Sequence, residues 1–265
     1  MANSEATRRR AGYNTDTGSV VVVIRSSWLM LAVCFSSCAN VPVVVDNAVF
    51  VRDGNSDITV RAVAGALAVA DIDDVAAAVP AARACLTAWH LSLQHDVVIT
   101  IHGSVHSFIQ NTGQIVPTLR AWSSWRDVHL LTTDTWRAQD DDDIKRRLTH
   151  ELCHLGLQHR IGRARGLPRL LSEGVCSVVA DQGADRLDVD AAAAALDQGR
   201  VIDFDDDSVF AYAVAHHVVA GLARCHGDAA VLALVDAVAA RDTTTTTHLR
   251  EFLPVAPRAL IGACR

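Results

Sequence analysis

Two short segments constrain this chain more than anything else in it: HELCH, residues 150–154, and LPRLLSEG, residues 167–174. Ile144, Leu148, Leu152 and Leu155 recur at helical spacing around the first, which predicts that HELCH lies on a helix. The acidic run QDDDD (139–143) stands where a helix N-terminus favours negative charge. Residues four apart project from one helical face, so the imidazoles of His150 and His154 can reach a single ion. Glu151 lies one residue past the first of them and can reach a water held there. Such a site needs a third ligand. Pro168 suits the first turn of a second helix, and Glu173 sits within it, with eighteen residues between it and His154.

Composition makes these placements more telling. Only Glu5, Glu151, Glu173 and Glu251 of the 30 acidic residues are glutamate, and Lys145 is the single lysine among 24 basic ones. Two of the four glutamates, Glu151 and Glu173, therefore fall in these two segments, in a chain that otherwise uses aspartate. The Ala, Val, Asp and Arg excess itself has the look of codon bias and says little about function.

The HExxH-x18-E arrangement of His150, Glu151, His154 and Glu173 resembles that of the gluzincin zinc metallopeptidases, and LPRLLSEG resembles the LPxWLxEG stretch of their peptidase MA-like members. The resemblance spans roughly residues 95–240, with the two ligand-bearing helices its specific part. It implies one Zn2+ held by His150, His154 and Glu173, with a fourth position left for water whose pKa the metal lowers to near 7. Glu151 would then act as general base on that water and pass the proton to the leaving amine. The resemblance also implies a strand at the cleft edge that pairs with extended substrate, and DVHLLTTD (127–134) lies in the matching place. It further implies a helix after the glutamate helix, matched by SVFAYAVAHHVVAGLARCHGD (208–228). Tyr212 there, or His216 one turn on, is the candidate donor to the oxyanion. Two positions depart from the pattern. Leu170 replaces a frequent tryptophan, and Ser177 stands where thermolysin-type relatives place an acidic residue that orients a histidine. His102 and His106 are also four apart, but Gly103 and the strand before it argue against a shared helical face.

The rest of the chain predicts alternating helices and strands, an α+β class. ITVRAVAGALAVADIDDVAAAV (58–79) and PAARACLTAWHLSL (80–93) read as helices, the second starting at Pro80. DVVITIHG (96–103) reads as a strand, and SVHSFIQNTGQIVP (104–117) as a short helix and loop. The TTTTT run (243–247) is a small low-complexity loop.

The N-terminus reads as an export segment. RRR (8–10) and Arg25 precede the apolar stretch SSWLMLAVCFSSC (26–38), which is too short for a permanent membrane span. FSSC (35–38) resembles a bacterial lipobox, which makes Cys38 the lipidation candidate; LAVC (31–34) is a poorer one. Five cysteines remain beyond it, an odd number that gives no complete disulfide framework, and no CxxC occurs, so a zinc ribbon is excluded. A net charge of −6 without a basic stripe argues against nucleic-acid binding.

These observations predict an export segment (1–38), a linker (39–56) and one compact gluzincin-like domain (57–265). That domain would hold a small mixed sheet, the two ligand helices and a mostly helical C-terminal part. The expected function is a zinc metallopeptidase acting on peptides or proteins, exported and lipid-anchored at a bacterial envelope, with its oligomeric state open. Two alternatives stand beside it: an inactive zinc-binding pseudo-peptidase serving as an envelope binding module, and a zinc hydrolase of a non-peptide amide. An intact Glu151 favours an active enzyme, because purely structural zinc sites are closed by four protein ligands and need no base.

Overall fold

The computed structural model describes residues 20–25, 44–53, 56–63, 69–114, 121–132, 143–162, 166–183, 187–200, 202–205, 208–240 and 261. These residues form an α+β fold with a six-stranded mixed sheet and seven helices. The strands are β1 (Val20–Arg25), β2 (Val44–Asp53), β3 (Ser56–Val63), β4 (Val97–His102), β5 (Ala121–Ser124) and β6 (Asp127–Leu131). They lie in the order β1-β2-β3-β4-β6-β5. β3, β4 and β6 run parallel, β2 is antiparallel to both its neighbours, and β5 is antiparallel to β6.

The helices are α1 (Val69–Ala88), α2 (Val105–Thr112), α3 (Ile144–Ile161), α4 (Arg169–Val179), α5 (Val189–Asp197), α6 (Ser208–His226) and α7 (Asp228–Ala240). α1 packs on α3, α3 lies against β5, and α4 runs along α6. One core joins Val60 and Ile99 of the sheet to Leu148, Leu152 and Leu155 of α3 and to Val175 and Val218 of α4 and α6. No single helix among the described residues is long and apolar enough to cross a membrane.

Several expectations are corrected. Residues 58–63 form strand β3 rather than the start of a helix, because Ile58, Val60 and Ala62 point into the core while Thr59 and Arg61 are half-buried, a period of two. Pro80 does not open a second helix; α1 runs through it, held by Ile72, Val75, Val79, Ala82 and Leu86 buried along one face. Tertiary burial here outweighs the hydrogen bond that proline removes. The expected linker contains β2, and β1 falls inside the expected export segment, paired with β2 from Val20↔Arg52 to Arg25↔Asn47. The apolar stretch 26–38, with Cys38, lies outside the described residues, as does the threonine run.

The cleft-edge strand is also different from the expected one. β6, the core of DVHLLTTD, is an interior strand between β4 and β5, with Val128, Leu130 and Leu131 buried. The edge is β5, joined to β6 by a tight turn at Trp125 and Arg126.

Candidate metal centre

α3 begins where Asp143, in extended conformation, accepts a hydrogen bond from Arg146 N at 2.7 Å through Oδ1. It ends at Gly162, whose φ of 85° is open to glycine. Between these stops the helix turns its leucines to the core and its 150, 154 and 158 stripe to a cleft of about 340 Å3. α4 starts just after Pro168 and carries Glu173 across that stripe.

Three side-chain atoms meet there. His150 Nε2 lies 3.1 Å from His154 Nε2 and 3.2 Å from Glu173 Oε2, and His154 Nε2 lies 3.3 Å from the same oxygen. A tetrahedral ion with bonds of about 2.0–2.1 Å sets its ligand atoms roughly 3.3 Å apart, so the triangle has the dimensions of one face of a zinc coordination shell. Two imidazole nitrogens and a carboxylate oxygen are also the donor types zinc takes in catalytic sites. Among the described residues this is the one His, Cys, Asp or Glu group of three whose donor atoms converge in this way.

The electrostatics fit a closely set cluster. Burial opposes charge on His154, but the Glu173 carboxylate outweighs it and raises the imidazole to about 9. Burial works against the Glu173 anion too, and the adjacent His154 and His150 hold that carboxyl far below the usual range. Without a metal, the cluster is therefore a protonated His154 paired with an ionised Glu173.

Glu151 is buried and lines the same cleft as His150, His154 and Glu173, without being one of the three converging donors. Tyr212 of α6 lines it from the other side, with its ring centroid 6.4 Å from that of His150 and 5.4 Å from that of Phe204. Burial, and then the Glu173 charge, push its phenol up, while a hydrogen bond from Arg169 acts in the opposite sense. The phenol therefore keeps its proton and stays a donor.

No family model, curated protein or solved structure matches the chain.

Other sequence candidates fall elsewhere. His216 does not line the cleft: its ring packs on Gly183 beyond the end of α4, and its Nδ1 is buried with no hydrogen-bond partner. Ser177 is not the partner of a ligand histidine. Its carbonyl accepts from Gln182 N, and His154 Nδ1 instead lies 3.5 Å from Cys176 Sγ. His150 Nδ1 is buried with no partner. His102 is fully buried between Ser107 Oγ (3.1 Å) and His129 Nδ1 (2.9 Å), whereas His106 is exposed on α2, so the two share no site.

Sequence reasoning missed the clamp that sets the cleft edge. Gln158 Oε1 accepts from Trp125 N at 2.6 Å, and His159 Nε2 donates to Trp125 O at 2.6 Å while its Nδ1 accepts from Gln94 N. Trp125 has a φ of 51°, a left-handed value that a tryptophan adopts only when held. Two consecutive residues of α3 thus fix the hairpin turn, and β5 with it, beside His150 and His154. The four-residue spacing of His150, His154 and Gln158 was the available signal.

Proposed function

We propose that the chain is a zinc-dependent metallopeptidase. The observation that carries this reading is the triangle of His150, His154 and Glu173, with Glu151 beside it, in a cleft bordered by the edge strand β5. The two histidines would hold the ion through Nε2 and Glu173 through its carboxylate. Bound there, zinc supplies Lewis acidity that makes water acidic near neutral pH and polarises a carbonyl. Glu151 accepts the proton of the attacking water and delivers it to the leaving nitrogen. The Tyr212 hydroxyl donates to the oxyanion that develops on the scissile carbonyl.

β5 supports a peptide over a compact amide as substrate. Its outer edge has no neighbouring strand among the described residues, and Ala121, Trp122 and Ser123 line the cleft. An extended peptide can add to such an edge through main-chain hydrogen bonds, which recognise backbone irrespective of sequence.

We further place the protein outside the cytoplasm, anchored through Cys38. The disulfide at Cys225 supports an oxidising compartment. Processing at Cys38 would remove β1 and leave β2 as the sheet edge. Mass spectrometry of the membrane fraction should find a lipid-bearing N-terminus at Cys38, and a mature chain that retains β1 would refute the anchor.

The catalytic reading is tested by separating metal from base. Protein purified without chelator should hold about one zinc per chain, and His150→Ala or Glu173→Ala should lose most of it. Glu151→Gln should keep the zinc and lose at least about 10²-fold in peptide hydrolysis. Equal hydrolysis by Glu151→Gln and wild type would refute the mechanism, and equal metal in all variants would refute the site.

A further inference from the structure

The two ligand-bearing helices meet at a second pair of side chains. Cys153 stands in α3 between the two histidines, and Cys176 stands in α4, three residues past Glu173. Both are 0% exposed, and their sulfurs are 2.6 Å apart. Unbonded heavy atoms settle at about 3.5 Å or more even for carbon, whereas a sulfur–sulfur bond is about 2.05 Å long. The pair lies closer to bonding distance than to van der Waals contact. As thiols, the two sulfurs would have to move apart, either by rotation about χ1 or by separation of the helices that bring Glu173 onto His150 and His154.

We propose that Cys153 and Cys176 form a disulfide that ties α3 to α4 beneath the metal ligands. The oxidant is a small-molecule or protein disulfide. One thiolate attacks it, releasing one thiol and leaving a mixed disulfide; the second thiolate attacks that, closing the Cys153–Cys176 bond and releasing a second thiol. Two cysteine thiols are oxidised and one disulfide is reduced to two thiols. Because both sulfurs are fully buried in the folded protein, the exchange occurs before α3 and α4 close on each other.

The bond also acts on His154. A Cys176 thiol 3.5 Å from Nδ1 could offer a proton, but a disulfide sulfur can only accept one. Oxidation therefore favours the tautomer with hydrogen on Nδ1 and the Nε2 lone pair turned toward His150 and Glu173, the form that binds metal. The structure holds Cys85, Cys153 and Cys176 as unbonded cysteines and Cys225 in a disulfide; pairing Cys153 with Cys176 would leave Cys85 as the one thiol among the described cysteines.

The test uses the full chain, refolded with a glutathione redox pair, then denatured and alkylated with N-ethylmaleimide without reductant. Peptide mapping should find a Cys153–Cys176 linked peptide and label on Cys85, with Cys153 and Cys176 labelled only after reduction. Label on both without reduction, or a link from either to another cysteine, overturns the proposal. Reductant should lower the melting temperature of wild type by roughly 5–10 °C more than that of Cys153→Ala/Cys176→Ala, given a loop of this length. Equal shifts overturn the tie between the helices, and the mapping on wild type decides the bond even if the double variant does not fold.

Discussion

Gly174 follows the candidate ligand Glu173 directly and sits where α4 packs tightly on α6. A Cβ added there would stand 2.5 Å from Ala215 O, 2.6 Å from Val219 Cγ2 and 3.0 Å from the Ala215 carbonyl carbon. The valine methyl can rotate away, but the backbone of α6 cannot. A carbon needs about 3.5 Å from such neighbours, so α4 must retreat by roughly 1 Å in Gly174→Ala. Overpacking of this kind costs about 1–3 kcal/mol, and the better helix propensity of alanine returns only about 1 kcal/mol. The retreat carries Glu173 away from two imidazoles that now lie 3.2 and 3.3 Å from its Oε2. Thermal melts should show a fall of several degrees, at roughly 2–4 °C per kcal/mol for a domain of this size. Zinc titration should show affinity lower by about 10–100-fold, the range for lost orientation of ligands. A variant that melts at or above wild type with unchanged zinc affinity would refute both the close approach and its link to the site.

Three further outcomes are expected. Burial, with His129 and Arg61 nearby, lowers the His102 pKa to about 4. From its ordinary 6.5 down to about 4, the unfolded chain binds a proton that the folded one refuses, so this contribution is full above pH 6.5 and is lost as pH falls. Urea unfolding should therefore show wild type losing about 2–3 kcal/mol more than His102→Gln between pH 7 and 4.5; parallel losses would sink the assignment. Tyr212→Phe should retain zinc and cut turnover by roughly 10²-fold if the phenol reaches the oxyanion, and a change under about threefold would leave it a packing residue. His159→Phe removes the bond to the Trp125 carbonyl and the bond from the Gln94 amide, and leaves the Gln158 bond to Trp125 N in place. It should destabilise the fold by about 1–3 kcal/mol and raise KM more than it lowers kcat; an unchanged KM would detach the clamp from substrate binding.

The placement of the candidate site residues on two helices was legible in the sequence because helical periodicity is local. His150, Glu151 and His154 fall on known sides of a helix whatever that helix packs against, and α4 with Glu173 follows from Pro168 and an apolar period. The α6 helix and its end at Gly227 were legible for the same reason. Strand β3 was not, since Ile58, Val60 and Ala62 lead into an alanine-rich helix and any long window averages a period of two with one of 3.6. Nor was the edge position of β5: four residues with one buried side chain carry little periodicity, and their place depends on hairpin pairing with β6 and on Gln158 and His159 from another element.

By itself, the sequence determined which residues can share a face, because that follows from backbone geometry over a few residues. Only the tertiary structure decided which faces meet. The 18 residues between His154 and Glu173 permit many crossings of α3 and α4, and the one adopted is selected by Gly174 against α6 and by the leucines of α3 in the core. The same crossing brings Cys153 to Cys176 and puts Cys176, rather than Ser177, beside His154. Contacts between distant segments depend on the sum of many buried surfaces, and no single stretch of the chain carries that sum.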